Sequence, residues 1–197
     1  SHEIHADMVY KSNMHTPIVK MPQKYLDNVI LANSITKTFN VPGLIISSLI
    51  IPNEDIRKKV EDMIDRAGMR NPNIYALAAM EAAYNKCEYW VDDVIEYIYG
   101  NYLFTKNYFK QYFPQLKIVE PQGTYLLWID CRALNISESQ LEDWFVNHAK
   151  VGVYMGSGFG EESEGFIRVN IATSRELLKS AYDRMRDNYH MISSTAL

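Results

Sequence analysis

The chain has 197 residues, of which 47% are hydrophobic and 12% aromatic. This content is enough to form the packed core of one medium domain or two small ones. Its 20 basic and 24 acidic residues are mixed along the sequence and leave a net charge of −4, which argues against nucleic acid or an anionic membrane as a partner. Cys87 and Cys131 lie far apart without a metal-type spacing, so we expect no metal site and a reducing, cytoplasmic compartment.

The first third of the chain predicts two short strands and a helix. Residues 29–32 (VILA) and 44–51 (LIISSLII) are continuous apolar runs, as in strands that are covered on both faces. Asn53 and its neighbours then predict the start of an amphipathic helix that ends at Gly68. The longest apolar run is far too short to span a bilayer.

Residues 74–113 have a helical pattern that is much longer than an ordinary globular helix. We therefore predict either two helices or one long bent connector, with the interruption at Gly100. We place a domain boundary near residue 91, which gives an α/β to α+β class with strands and helices on both sides.

The character of the chain changes after Pro114. LKIVEP and GTYLLWIDC predict two strands, and Ser137 with Gln140 three residues later predicts the capped start of a short helix. A glycine-rich segment with GSGFG at 156–160 precedes a further strand, and Ser174 caps a final amphipathic helix. GSGFG lacks the lysine and helix of a phosphate-binding loop, so we interpret it as a flexible loop.

Lys37 is the first candidate for chemistry, because SITKTFNVPGL places it between two threonines where a strand ends. A lysine amine can form a Schiff base with an aldehyde cofactor, and the hydroxyls of Ser34 and Thr36 suit a phosphate. Composition alone favours an ordinary surface lysine, and serine and threonine are also common backbone partners in turns.

Arg168 is the second candidate, because a guanidinium inside the apolar strand GFIRVNIAT needs an anion. A substrate carboxylate would fit, but the residues alone favour an internal Asp or Glu as its partner. His5 and Asp7 alternate in EIHADMVY, which is consistent with a hydrogen-bonded pair on one strand face or with a solvated strand edge.

In this order, EIHADMVY, SITKTFNVPGL, GTYLLWIDC and IRVNIAT resemble the C-terminal half of fold-type I pyridoxal-phosphate (PLP) enzymes of the class I/II aminotransferase superfamily. The segments around Lys37 and in TYLLWIDC are particularly similar to cystathionine β-lyases of the MalY/PatB type. The resemblance implies the end of the large PLP-binding domain at 1–91 and the small C-terminal domain at 92–197. It also implies a homodimer and an amino-acid substrate.

The same resemblance assigns roles to the candidate residues. Lys37 becomes the residue that binds PLP covalently and removes the Cα proton, and Ser34 with Thr36 becomes part of the phosphate site. His5 would lie near the phenolic oxygen of the cofactor, and Arg168 would bind the substrate α-carboxylate. The implied reaction is a β-elimination that releases thiol, pyruvate and ammonia from a sulfur amino acid.

The chain departs from the family at two positions and in length. His2 stands where relatives have an Asp for the pyridinium nitrogen, and Ile45 stands where many have a phosphate-binding Arg. Family members are about twice as long, so we expect an incomplete fragment that is inactive alone. The alternatives to a β-lyase are an aminotransferase and a non-catalytic, aminotransferase-like regulatory module.

Overall fold

The computed structural model describes residues 1–193 of the chain, and the last four residues of the predicted second domain, 194–197, lie outside this range. The chain forms two compact units, Ser1–Ile95 and Glu96 onward. Among residues 1–193, no helix is both long enough and apolar enough to cross a membrane.

The first unit contains five helices or parts of helices and one small sheet. Its helices are α1 (Gln23–Leu26), α2 (Ile35–Thr38), α3 (Glu54–Arg66), α4 (Ile74–Lys86) and the beginning of α5 (Glu88–Tyr112). Its strands β1 (Leu31–Asn33) and β2 (Ser48–Ile50) pair antiparallel, with Ala32 opposite Leu49. A cluster of side chains from α2, α4 and the intervening loop forms the core: Ile35, Ile46, Ala76, Ala83.

The second predicted strand is much shorter than its sequence suggests. Pro42–Leu44 forms a 3-10 turn, and Ile45 follows in the left-handed conformation with φ of 47°. A β-branched residue adopts this conformation at a cost of about 1 to 3 kcal/mol. The chain therefore becomes extended only after Ile45, and pairing begins at Ser48.

The helical segment after residue 74 is divided at Cys87, so our prediction of a break at Gly100 was wrong. The backbone of Cys87 leaves the helical region, with φ of −119° and ψ of 26°, and α5 then continues through Gly100. A β-carbon on Gly100 would lie 3.0 Å from a guanidinium nitrogen of Arg175. Gly100 is therefore a site of close approach by a side chain and does not end a helix.

The second unit contains the strands β3 (Lys117–Ile118), β4 (Leu126–Asp130), β5 (Tyr154–Met155) and β6 (Phe166–Asn170), which form an antiparallel sheet in the order β3-β4-β6-β5. Besides the rest of α5, its helices include α6 (Glu138–Asp143), α7 (Arg175–Asn188) and α8 (His190–Ser193). One face of β4 and β6 is buried, and helices α5 and α7 contribute the aromatic side chains Phe109 and Tyr182, whose centroids are 5.2 Å apart. The other face carries Trp128 and Arg168, which are partners in the β4–β6 register.

Three of the helix starts that we predicted from capping residues are confirmed. The side chain of Asn53 accepts from the backbone of α3, Ser137 and Gln140 form a complete capping box at α6, and Ser174 accepts from Leu177 at α7. Each cap satisfies backbone N–H groups that the first helical turn leaves unpaired. These signals are local, which is why the sequence reveals them.

Candidate functional site

Lys37 is the third residue of α2, a helix of four residues that begins directly after β1. Ser34 starts this helix from an extended backbone conformation, and its hydroxyl accepts a hydrogen bond from the N–H of Thr36 at 3.1 Å. Asn40 then adopts φ of 53°, a conformation that asparagine tolerates better than most residues, and the helix ends. Lys37 is thereby presented on a single tight turn.

Three long-range contacts hold this turn in place. The hydroxyl of Ser34 lies 2.5 Å from the carbonyl oxygen of Ile46, and the hydroxyl of Thr38 donates to the carboxylate of Asp7 at 3.1 Å. The indole N–H of Trp90 donates to the carbonyl oxygen of Thr38 at 3.2 Å. The backbone that carries Lys37 is therefore braced on both sides.

The side chain of Lys37 is free of such constraints. It is exposed, and within the described residues its amine has no hydrogen-bond or ion-pair partner. A lysine fixed through its backbone, with its amine unpaired, can form a covalent bond to an aldehyde without breaking a protein contact.

The predicted phosphate donors differ in their availability. Ser34 is only 2% exposed, and its hydroxyl contacts Ile46 and Thr36, so the fold already uses it. Thr36 is half-buried, with its hydroxyl oxygen 2.9 Å from that of Ser34. Ile45 is 88% exposed and brings no charge to this region.

His5 lies in a turn, so our prediction that His5 and Asp7 alternate on a strand face was wrong. Residues 4–7 fold back after an isolated bridge between His2 and Ala32, and the N–H of Ala6 donates to Glu3. Asp7 contacts Thr38, the residue after Lys37. The turn with His5 is thus tied to the helix of Lys37 through Asp7, a link that the sequence analysis missed.

Arg168 lies in β6 of the second unit, between two strands. Trp128 of β4 and Tyr154 of β5 are its register partners. The guanidinium carbon lies 4.7 Å from the ring centroid of Tyr154 and 4.5 Å from that of Phe159. Burial raises the pKa of nearby Tyr125, and the positive charge of Arg168 opposes that rise.

Arg168 has no ion-pair partner among residues 1–193, which is contrary to our expectation of an internal Asp or Glu. Its Nε is buried and has no hydrogen-bond partner there. A buried, unpaired N–H on a charged group is costly, because the group has lost its hydration without replacement. The terminal nitrogens of a guanidinium can donate two parallel hydrogen bonds to the carboxylate of a ligand.

Sequence reasoning missed Tyr154 and Phe159, the two aromatic residues that contact Arg168. Tyr154 precedes the glycine-rich segment and Phe159 lies inside it, so both are close to one another in sequence. A phenylalanine within a run of glycines was the available signal, because an aromatic side chain carries a large apolar surface that packs against other residues.

Comparisons with known proteins identify the family of this chain. The family model described as aminotransferase class I and II matches residues 1–185. Cystathionine beta-lyase PatB of Bacillus subtilis (strain 168) is 32% identical over 186 residues, which cover 94% of this chain and 48% of the relative. Protein MalY of Escherichia coli (strain K12) is 33% identical over 180 residues, which cover 91% of this chain and 45% of the relative.

A solved structure shows the same similarity. The crystal structure of cystalysin from Treponema denticola, which contains PLP, is 29% identical with a TM-score of 0.93, and the match covers 97% of this chain and 48% of cystalysin. The chain thus spans about half the length of the curated relatives that it matches. Because the family model extends over residues 1–185, the chain belongs to the aminotransferase class I and II family.

Proposed function

We propose that this chain is part of a PLP-dependent carbon–sulfur β-lyase that cleaves cystathionine, cysteine or a related thioether. The observation that carries the proposal is that the amine of Lys37 and the guanidinium of Arg168, the two groups that such a reaction needs, both lack an ion-pair or hydrogen-bond partner among residues 1–193. The name of cystathionine beta-lyase PatB and its similarity to this chain support the reaction class, and the PLP in the cystalysin structure supports the cofactor.

The residues of this chain fit the cofactor in part. The unpaired amine of Lys37 suits an aldehyde, and the hydroxyl of Thr36 suits one phosphate oxygen. Ser34 would have to share a hydroxyl that already contacts Ile46, and His5 would lie near the ring. We expect the remaining phosphate donors to come from the part of the relatives' length that this chain does not match.

When bound, PLP supplies an electron sink that stabilises negative charge at the substrate Cα. Arg168 donates two hydrogen bonds to the α-carboxylate and so fixes the orientation of the Cα–H bond. The neutral amine of Lys37 accepts the Cα proton, and Lys37 then returns this proton to the thiolate that leaves from Cβ. Addition of water gives pyruvate and ammonia beside the thiol, so atoms and charge balance.

An aminotransferase is the second candidate, because the matching family model is that of class I and II aminotransferases. Lys37 and Arg168 would serve that reaction equally well, since both routes begin with removal of the Cα proton. The two differ in product: a transaminase needs a keto-acid acceptor and releases no thiol.

We further propose that residues 1–91 end the large cofactor domain and that residues 92–197 form the small domain. The separation of the described chain into two compact units supports this assignment. We also propose that the whole protein is a homodimer and is located in the cytoplasm. Two cysteines that form no disulfide support a reducing compartment, and exposed apolar side chains in the first unit, including Leu49 and Ile50, support association.

The test is to incubate the whole protein, loaded with PLP, with L-cystathionine and to measure pyruvate and free thiol. We expect both products in equal amounts without a keto acid, and we expect their loss in Lys37→Ala. Lys59→Ala is the matched control, because Lys59 is an exposed lysine of α3. If conversion of the amino acid requires 2-oxoglutarate and gives no thiol, the lyase proposal is wrong and the aminotransferase is the function.

A further inference from the structure

The glycine-rich segment Gly156–Gly160 has no part in the function proposed above, yet the fold holds it firmly. It forms a 3-10 turn, and a β-carbon on Gly156 would lie 1.8 Å from the carbonyl oxygen of Ser163. Such close backbone contact leaves room only for glycine at position 156. The segment is therefore packed against its own continuation, in contrast to the flexible loop that we predicted.

The carboxylate of Glu138, in helix α6, holds both the glycine-rich segment and the residues that follow it. Glu138 accepts hydrogen bonds from the N–H of Ser157 at 3.4 Å and from the N–H of Gly165 at 3.1 Å. Burial tends to raise the pKa of Glu138, but the hydrogen bonds from Ser157 and Gly165 outweigh it, and the pKa is lowered. Glu138 thus anchors the glycine-rich segment near its start, at Ser157, and anchors the chain again at Gly165, after the segment has ended.

The anchored segment carries Phe159 to Arg168. The ring centroid of Phe159 lies 4.5 Å from the guanidinium carbon and 5.4 Å from the ring centroid of Trp128, which it meets edge to face at 88°. Trp128 stacks in turn on Phe166 at 5.4 Å. Phe159 is 47% exposed, so burial of its own surface accounts for only part of its position.

Aromatic contacts hold a guanidinium without using its hydrogen-bond donors. A ring attracts the cation through its π face and offers no strong acceptor, so the terminal N–H groups stay available for a ligand. An internal carboxylate would have fixed the arginine equally well, but it would have occupied those donors. The buried, unpaired Nε of Arg168 is consistent with the aromatic arrangement.

We propose that Phe159 and Tyr154 are positioning residues that preorganise Arg168 for a planar carboxylate, and that the glycine-rich segment places Phe159 against the guanidinium of Arg168. The proposal rests on the assignment of Arg168 as the α-carboxylate site. Because a preorganised side chain loses less entropy on binding, removing either ring weakens carboxylate binding and leaves the later steps at Lys37 unchanged.

The test compares Phe159→Leu with Phe159→Tyr in the whole protein loaded with PLP. Leucine keeps an apolar side chain but removes the ring, so we expect KM for the amino acid to rise about tenfold with kcat nearly unchanged. Tyrosine keeps the ring and restores KM. Tyr75→Leu, which removes an exposed ring from α4 in the first unit, is the matched control and keeps the wild-type KM.

A binding measurement gives a second readout that needs no turnover. Calorimetric titration with 3-(methylthio)propionate, a thioether carboxylate without an amino group, measures Kd for the carboxylate alone. We expect Kd to rise about tenfold in Phe159→Leu and in Tyr154→Leu, and we expect the corresponding carboxamide to bind none of the proteins. Tyr154 is 64% exposed, so its replacement tests the proposal even if the Phe159 variant does not fold.

The outcomes separate this inference from the proposed function. If Arg168→Lys weakens binding and Phe159→Leu and Tyr154→Leu do not, the inference is overturned and the carboxylate site stands. If Arg168→Lys also binds like the wild type, the carboxylate site itself is wrong. A fall in kcat and thermal stability together, without recovery in Phe159→Tyr, shows a purely structural role and also overturns the inference.

Discussion

The indole N–H of Trp90 donates to the carbonyl oxygen of Thr38 at 3.2 Å, the residue that follows Lys37 in the chain. This contact satisfies a carbonyl at the end of α2 that has no helical partner. It also links the short helix of Lys37 to the start of α5. The position of Lys37 is therefore set by a residue far away in sequence.

Replacing Trp90 by phenylalanine removes this hydrogen bond and keeps an aromatic ring. We expect the free energy of unfolding to fall by about 1 kcal/mol, the usual net value of one such bond. Tyr89→Phe is the matched control, because Tyr89 is the exposed neighbour of Trp90 at 66% exposure. Urea denaturation of both variants measures the difference, and equal stabilities would show that the Trp90 contact contributes nothing.

Two glycines of the glycine-rich segment Gly156–Gly160 differ in their tolerance of alanine. In Gly156→Ala the new methyl group meets the carbonyl oxygen of Ser163, and we expect a loss of about 2 kcal/mol or more of unfolding free energy. A β-carbon at Gly158 meets nothing within 4 Å, so Gly158→Ala should change stability by less than about 1 kcal/mol. Thermal unfolding compares the two directly; similar losses would rule out the close contact at Gly156.

Glu3 makes the stability of the first unit depend on pH. Its buried carboxylate accepts hydrogen bonds from His15 at 2.9 Å, from the N–H of Ile18 at 2.8 Å and from Ser1 at 2.9 Å. Burial raises the pKa of Glu3, but these hydrogen bonds outweigh burial and bring the pKa below its ordinary value of 4.5.

A lowered pKa in the folded state stabilises the fold above the unfolded pKa, and this stabilisation is lost as the pH falls through the folded pKa. We therefore expect Glu3→Gln to be less stable than the wild type by about 1 to 2 kcal/mol at pH 7, with the difference shrinking below about pH 4.5. Glu162→Gln, an exposed glutamate, is the control. Denaturation of both proteins is measured from pH 7 to below about pH 4.5. The account would be contradicted if the stability difference between Glu3→Gln and the wild type stayed constant over this range.

The two thiols differ in reactivity. Cys131 is 2% exposed, and burial, with a smaller contribution from Asp130, raises the pKa of its thiol to about 12. Cys87 is half-buried and lies between α4 and α5. Since the thiolate is the reactive form, we expect Ellman's reagent at pH 8 to modify Cys87 in the folded chain and Cys131 only after unfolding. Rapid modification of Cys131 in a Cys87→Ser variant under native conditions would disprove its burial.

Local signals made a large part of the fold predictable. Asn53, Ser137 and Ser174 begin their helices where the sequence placed them, because a cap depends on only three or four neighbouring residues. The break at Cys87 has no glycine or proline to mark it. The left-handed Ile45 is equally unmarked, since its conformation depends on the turn that precedes it.

The candidate site was predictable only in its residue types. Lys37 stood out because it lies between two threonines where a predicted strand ends, and Arg168 stood out because its charge interrupts an apolar strand. Family resemblance supplied their roles. The residues that hold them in place were not evident from the sequence. Trp90 and Asp7 contact α2 from other elements, and Phe159 contacts Arg168 from a separate loop. Such contacts between distant positions leave no periodic pattern in one sequence.

The central claim is that Lys37 binds PLP covalently. The direct measurement is to treat the PLP-loaded whole protein with sodium borohydride, digest it and locate the pyridoxyl label by mass spectrometry. The account predicts the label on the peptide that contains Lys37, with exposed Lys59 unlabelled. A label on another lysine, with the Lys37 peptide unmodified, would contradict it.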